Sequence, residues 1–279
     1  MRDFIEQHKL PVGEWAKGVV DWLIDNGQFA FAGLEAGLAI IIDVILGALQ
    51  LPPALVVVLI VCAVAWWLKR SARLTVMVAA GLLFIINQGY WEETTETLTL
   101  VLASAIVCMA IGVPTGIVLA HHPRAYVYVR PVLDLMQTLP TFVYLIPAII
   151  FFGLGMVPGL VATVIFVIPA PIRLTQLGIA STPKAMLEAG LAFGATSWQL
   201  LWKVELPAAM PQIMAGLTQT IMLSLSMVVI AALVGADGLG VPVVRALNTV
   251  NTGLGFEAGF VIVVLAIVLD RLLRIKERS

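Results

Sequence analysis

GLVATVIFVIPAPIRLTQL at residues 159–177 and AAMPQIMAGLTQTIMLSLSMVVIAAL at residues 208–233 enclose a polar island, EAGLAFGATSWQLLWKVELP, at residues 188–207. Each flanking run is long and apolar enough for a membrane-crossing helix, which needs about 20 residues. The island carries helix punctuation instead. Thr182-Pro183 sets an N-cap residue ahead of a proline at the first helical position, and Gly194 ends a helix of about three turns. Thr196 and Gln199 have the spacing of a capping box for a second short helix. Two short helices joined at a glycine outside a bilayer make a docking element, although an ordinary loop with helical turns has the same punctuation.

Working outward, five further stretches reach span length, giving seven: 52–68, 72–89, 96–120, 131–152, 159–177, 208–233 and 256–272. Of 279 residues, 61% are hydrophobic and 12% charged, with mean hydropathy +1.03, which excludes a soluble domain. Basic residues cluster in alternate loops. Lys69, Arg70 and Arg73, then Arg124 and Arg130, then Lys184 and Lys203, then Arg271, Arg274, Lys276 and Arg278 all fall on one side, whereas the opposite loops hold only Arg245. The positive-inside rule therefore makes the island cytoplasmic and, with seven spans, the N-terminus external.

Residues 1–50 differ. Asp3, Glu6, Glu14, Asp21, Asp25, Glu35 and Asp43 punctuate Trp15, Val19, Trp22, Leu23 and Phe29 at helical spacing, the pattern of an amphipathic segment at the outer interface. The run 33–49 is apolar enough for an eighth span, but Asp43 and Glu35 make its centre costly to bury in lipid, so it is read as interfacial. If it crosses, the N-terminus moves inside. Residues 1–15 lack the features of a signal peptide. Residues 51–279 are then one membrane domain following an interfacial segment over 1–50.

The spacing Glu188-Ala189, Gly194 and Leu206-Pro207 resembles the cytoplasmic coupling motif of permease subunits of binding-protein-dependent ABC importers. The resemblance extends over residues 90–272. LDLMQTLPTFVYLIP (133–147) and QLLWKVELPAAMPQIMAGLTQT (199–220) resemble the branch that imports glycine betaine, proline betaine and choline. It implies an all-α polytopic protein of the bacterial inner membrane, with a cytoplasmic coupling helix seated in a groove of a separate ATPase subunit. It also implies a second copy of the chain and an extracytoplasmic substrate-binding protein as partners. On this resemblance Glu188 supplies charge to the ATPase, Ala189 and Gly194 keep the contact close, Leu187, Leu191 and Phe193 anchor it, and Leu206-Pro207 closes the motif. Gly190 stands where the family commonly has alanine and lowers helix propensity by about 1 kcal/mol, which questions the stiffness of the helix.

No GxxxxGK[ST] phosphate loop occurs, so no nucleotide cofactor is expected on this chain; the resemblance implies that ATP and Mg belong to the partner ATPase. Cys62 and Cys108 lie in apolar runs as small hydrophobes, and His121-His122 lacks the further ligands of a metal site. Nucleic-acid binding has no support in the composition.

Pro140 and Pro147 interrupt a span with Phe142 and Tyr144 between them. A broken helix in lipid needs its freed carbonyls satisfied, which suits a pore-lining place, and aromatic faces attract quaternary ammonium groups. A kinked span with core aromatics explains the same residues. Gly235 to Gly240 reads as a flexible connector, with close approach of a binding protein or a gate as the alternative. Arg130 and Asp134 have the spacing of an ion pair, Arg173 snorkels from a span end, and Glu92, Glu93 and Glu96 suit the start of a helix. A secondary transporter or channel is the competing class, but its mid-membrane charges are nearly missing from the third to the seventh span. An intramembrane enzyme lacks a paired nucleophile and base.

Overall fold

The computed structural model describes residues 11–273, and the readings that fall on Asp3, Glu6, Arg274, Lys276 and Arg278 lie outside the described residues. Among the described residues every regular element is helical. Helix α1 (Val12–Gln50) runs unbroken through the segment expected to lie at the interface, because no proline interrupts it where its amphipathic half meets its apolar half. Leu38 and Ile42 are buried in the main core, Gln50 donates to Thr95 Oγ1 at 2.9 Å, and Glu35 and Asp43 stay exposed. The run 33–49 thus packs along the bundle while its two acids keep their exposure. By length and composition α1 joins the helices able to cross a membrane.

Helices α2 (Ala54–Lys69) and α3 (Ala72–Asn87) pair through a tight hinge at Arg70, whose φ is 46°. Each has 16 residues, or about 24 Å of helix, shorter than the ~30 Å hydrocarbon core. The long central helix α4 (Trp91–His121) comes next. The span expected over 131–152, interrupted by its prolines, is two helices, α5 (Pro123–Thr138) and α6 (Thr141–Phe152), bent by 92°. Pro140 cannot donate a backbone hydrogen bond and holds Leu139 extended (ψ 135°), so the helix stops there. Five helices among the described residues are long and apolar enough to cross, or six with the bent pair counted, in place of seven uniform spans.

The remaining helices are α7 (Met156–Val167), α8 (Pro169–Ala180), α9 (Lys184–Ala192), α10 (Ser197–Leu200), α11 (Leu206–Ala232), α12 (Gly240–Asn248) and α13 (Thr252–Leu273). A five-residue π turn, Leu201–Glu205, links α10 to α11. Helices α4, α8 and α11 form the centre, and small residues let their backbones meet, since lipid supplies no hydrophobic drive between helices. A Cβ at Gly112 would sit 2.8 Å from Pro171 Cγ, and one at Gly116 would sit 2.7 Å from the Ile172 carbonyl oxygen. Ser104 Oγ donates to Ser224 Oγ at 2.7 Å, and Ser224 donates on to the Thr220 carbonyl at 2.8 Å. That chain satisfies two buried hydroxyls across α4 and α11.

The glycine-rich turn at 235–240 is packed, contrary to the flexible connector expected. The Leu239 amide donates to Thr97 Oγ1 at 2.8 Å and the Gly155 amide to the Val234 carbonyl at 2.9 Å. Gly238 has φ +122°, and a Cβ there would meet Thr97 Oγ1 at 2.6 Å. These glycines serve close approach.

Candidate functional site

The island folds as two short helices and a π turn. Helix α9 begins at Lys184, with Pro183 as its cap and the Met186 amide donating to the Pro183 carbonyl at 3.0 Å. The expected Thr182 cap does not form: Thr182 is buried and its hydroxyl has no hydrogen-bond partner, because the chain turns into the helix one residue later. Gly194 ends α9 as expected, with φ +75°. The Ala195 amide donates to the Gly190 carbonyl at 3.1 Å and the Gly194 amide to Leu191 at 2.9 Å, a Schellman stop. The capping box at α10 has both arms: the Gln199 amide donates to Thr196 Oγ1 at 3.3 Å, and the Thr196 amide to Gln199 Oε1 at 3.0 Å.

Gly190 does not break α9. It is the point at which α9 rests on α10, since a Cβ there would lie 2.8 Å from Leu200 Cδ1. Leu187 and Gly190 are half-buried, and Leu206 is half-buried against Ile179, Ala209 and Ile213. Glu188, Ala189, Leu191, Phe193, Gly194 and Pro207 face outward. Glu188 has no cation beside it among the described residues. Phe193 is 92% exposed and Leu191, two residues earlier, 59%.

Sequence reasoning missed three exposed apolar side chains of the same segment. Met186, Trp198 and Trp202 are exposed, and the two indoles meet edge to face at 5.5 Å. The signal was present: Trp198 and Trp202 are four apart, one helical turn, inside a polar island.

Two charged contacts also depart from expectation. Asp134 pairs with Arg173, at 2.6 Å, and not with Arg130. Helix α8 lies alongside α5, so a cross-helix guanidinium reaches the carboxylate ahead of the neighbour one turn away. His121 Nε2 lies 2.9 Å from Glu205 Oε2, joining the end of α4 to the last residue of the π turn. Neither partner could be read from spacing, because they are far apart in sequence.

At the bend, Pro140 caps α6, Phe142 is exposed, and the Tyr144 hydroxyl donates to the Met136 carbonyl at 2.8 Å. Tyr144 therefore satisfies a carbonyl freed where α5 stops. Residues two apart on a helix point about 200° apart, so the rings of Phe142 and Tyr144 do not converge on one ligand.

The family described as binding-protein-dependent transport system inner membrane component matches residues 112–279. Over 274 residues the chain is 44% identical to the glycine betaine transport system permease protein OpuAB of Bacillus subtilis (strain 168), covering 97% of each chain. It is 46% identical over 270 residues to the glycine betaine/carnitine transport permease protein GbuB of Listeria monocytogenes, covering 94% of each. With the glycine betaine/proline betaine permease protein ProW of Escherichia coli (strain K12) the identity is 43% over 263 residues, 94% of this chain and 74% of that one. An inward-facing structure of the MetNI methionine ABC transporter has a similar fold, with TM-score 0.59 at 23% identity over 69% of this chain and 96% of that chain.

Proposed function

The chain belongs to the family of binding-protein-dependent transport inner membrane components, and from that premise we propose that it carries glycine betaine or a related quaternary ammonium compound. It is a multi-pass permease subunit of an ABC importer and not an enzyme. The observation that carries the cargo assignment is identity along nearly the whole chain to a glycine betaine permease. In this reading two copies of the chain enclose the path, a binding protein delivers cargo outside, and a separate ATPase holding ATP and Mg drives the cycle from the cytoplasm. The ATPase docks on the outward face of α9 and α10, with Glu188, Leu191 and Phe193 at its centre, Ala189 and Gly194 allowing close approach, and Leu187, Gly190, Leu206 and Pro207 as the supporting frame. Pro140, Phe142 and Tyr144 form a bend beside the path, with Phe142 the member free to meet a quaternary ammonium group.

The test is uptake of labelled glycine betaine, proline betaine and choline into liposomes holding the permease, its ATPase and its binding protein. Uptake is expected to need ATP on the ATPase side of the membrane and to survive an uncoupler. Uptake that survives ATP removal but collapses with the uncoupler would establish the competing class, a secondary transporter.

The turn between α9 and α10 offers a narrower check. A β-branched residue at φ +75° costs about 1–2 kcal/mol, so Gly194→Val is expected to weaken ATPase capture while membrane insertion stays at the wild-type level. Capture equal to wild type would show that this turn does not set the docking geometry.

A further inference from the structure

In the segment from Lys184 to Glu205, both short helices are free of buried residues, and the residue that is buried is a carboxylate: Glu205, 7% exposed. An acid in that position is costly unless it is paired. Its partner is His121, the last residue of α4, with Nε2 at 2.9 Å from Oε2. The other ring nitrogen, Nδ1, lies 2.9 Å from the Ile117 carbonyl oxygen.

The imidazole thus bridges two oxygens, with Nδ1 against a carbonyl of its own helix and Nε2 against the Glu205 carboxylate. That is a short, directional tie between the end of one central helix and the π turn that leads into another. Such π turns within helices recur at functional positions.

The surroundings give the tie its mechanical place. Leu201, the first residue of the π turn, and Leu206, just after its last, join Ile117 and Ala120 of α4 around one apolar cluster of Ile179, Ala209 and Ile213. Covalent continuity delivers any movement of α9 and α10 to α11. Apolar packing slides, whereas a charge-assisted hydrogen bond holds one register.

We propose that His121 and Glu205 are positioning residues forming a strut, by which displacement of the docking element is delivered to α4 as well as to α11. The proposal rests on the transport reading. It makes the two central helices move together when the ATPase acts on the island.

The experiment uses the complete complex in liposomes, with glycine betaine uptake per ATP hydrolysed as the readout and thermal stability measured alongside. His121→Ala leaves the Glu205 carboxylate buried and alone, and uptake per ATP falls about tenfold. Glu205→Gln is the conservative rescue: its amide donates to Nε2 of a neutral ring while Nδ1 still donates to Ile117, so coupling is retained. The double variant His121→Ala/Glu205→Ala removes the unpaired charge, so stability recovers while uptake per ATP stays low. A pair that merely stabilised the fold would regain both. Wild-type coupling in the double variant overturns the strut, as does loss of coupling in Glu205→Gln equal to that in His121→Ala. Should His121→Ala fail to assemble, the other two variants decide. Absence of ATP-driven uptake by the wild-type complex would instead overturn the transport reading, and the strut with it.

Discussion

Gly116→Leu is expected to leave little folded protein, with a melting temperature in detergent far below that of the wild type. A Cβ at Gly116 would lie 2.7 Å from the Ile172 carbonyl oxygen and 2.7 Å from Thr175 Cβ. The first of these is backbone, so relief requires α8 to move away from α4. Overpacking a fitted site costs about 1–3 kcal/mol and sometimes more, and here the shift also spreads to the paired glycine, Gly112, one turn earlier against Pro171. Gly37→Leu is the matched control, because nothing lies within 4 Å of a Cβ there. Thermal unfolding of both variants checks the claim: equal melting for Gly116→Leu and wild type would show that the α4–α8 crossing is not close-packed.

Phe193→Asp is expected to weaken binding of the ATPase by about 30-fold or more, the effect of losing one aromatic hot spot of ~2 kcal/mol. The ring is 92% exposed and has no intramolecular packing to lose, so folding should change little, as for surface substitutions generally. Leu191, Trp198 and Trp202 of the same island are exposed as well, and an aspartate at 193 replaces an apolar ring of that surface with a charge. Titration of the solubilised permease with the ATPase subunit measures the change. Unchanged affinity would remove Phe193 from the interface and turn attention to Trp198 and Trp202.

The local features of the island were legible because they depend on neighbours in sequence. Gly194 as a helix stop and the reciprocal Thr196–Gln199 box are both set within six residues, and both formed. Thr182 failed as a cap because the buried approach to α9 turned its hydroxyl inward, a matter of packing that local spacing does not encode. Gly190 looked like a weakness when judged by helix propensity alone. In the folded chain it is a contact, since Leu200 occupies the room a methyl group would need.

The apolar runs by themselves determined that this is a helical membrane protein, the basic clusters and the coupling-motif spacing led to the expectation of a cytoplasmic docking loop, and the likeness to betaine permeases came from the same residues. Hydrophobic length and charge placement are one-dimensional, so a chain displays them before it folds. Only the tertiary structure decided that residues 33–49 pack along the bundle, that Asp134 pairs with Arg173, and that Glu205 is held by His121. Each of these turns on which helix lies beside which, and a side chain's partner across a helix interface is set by the distance between axes, which no spacing along the chain records.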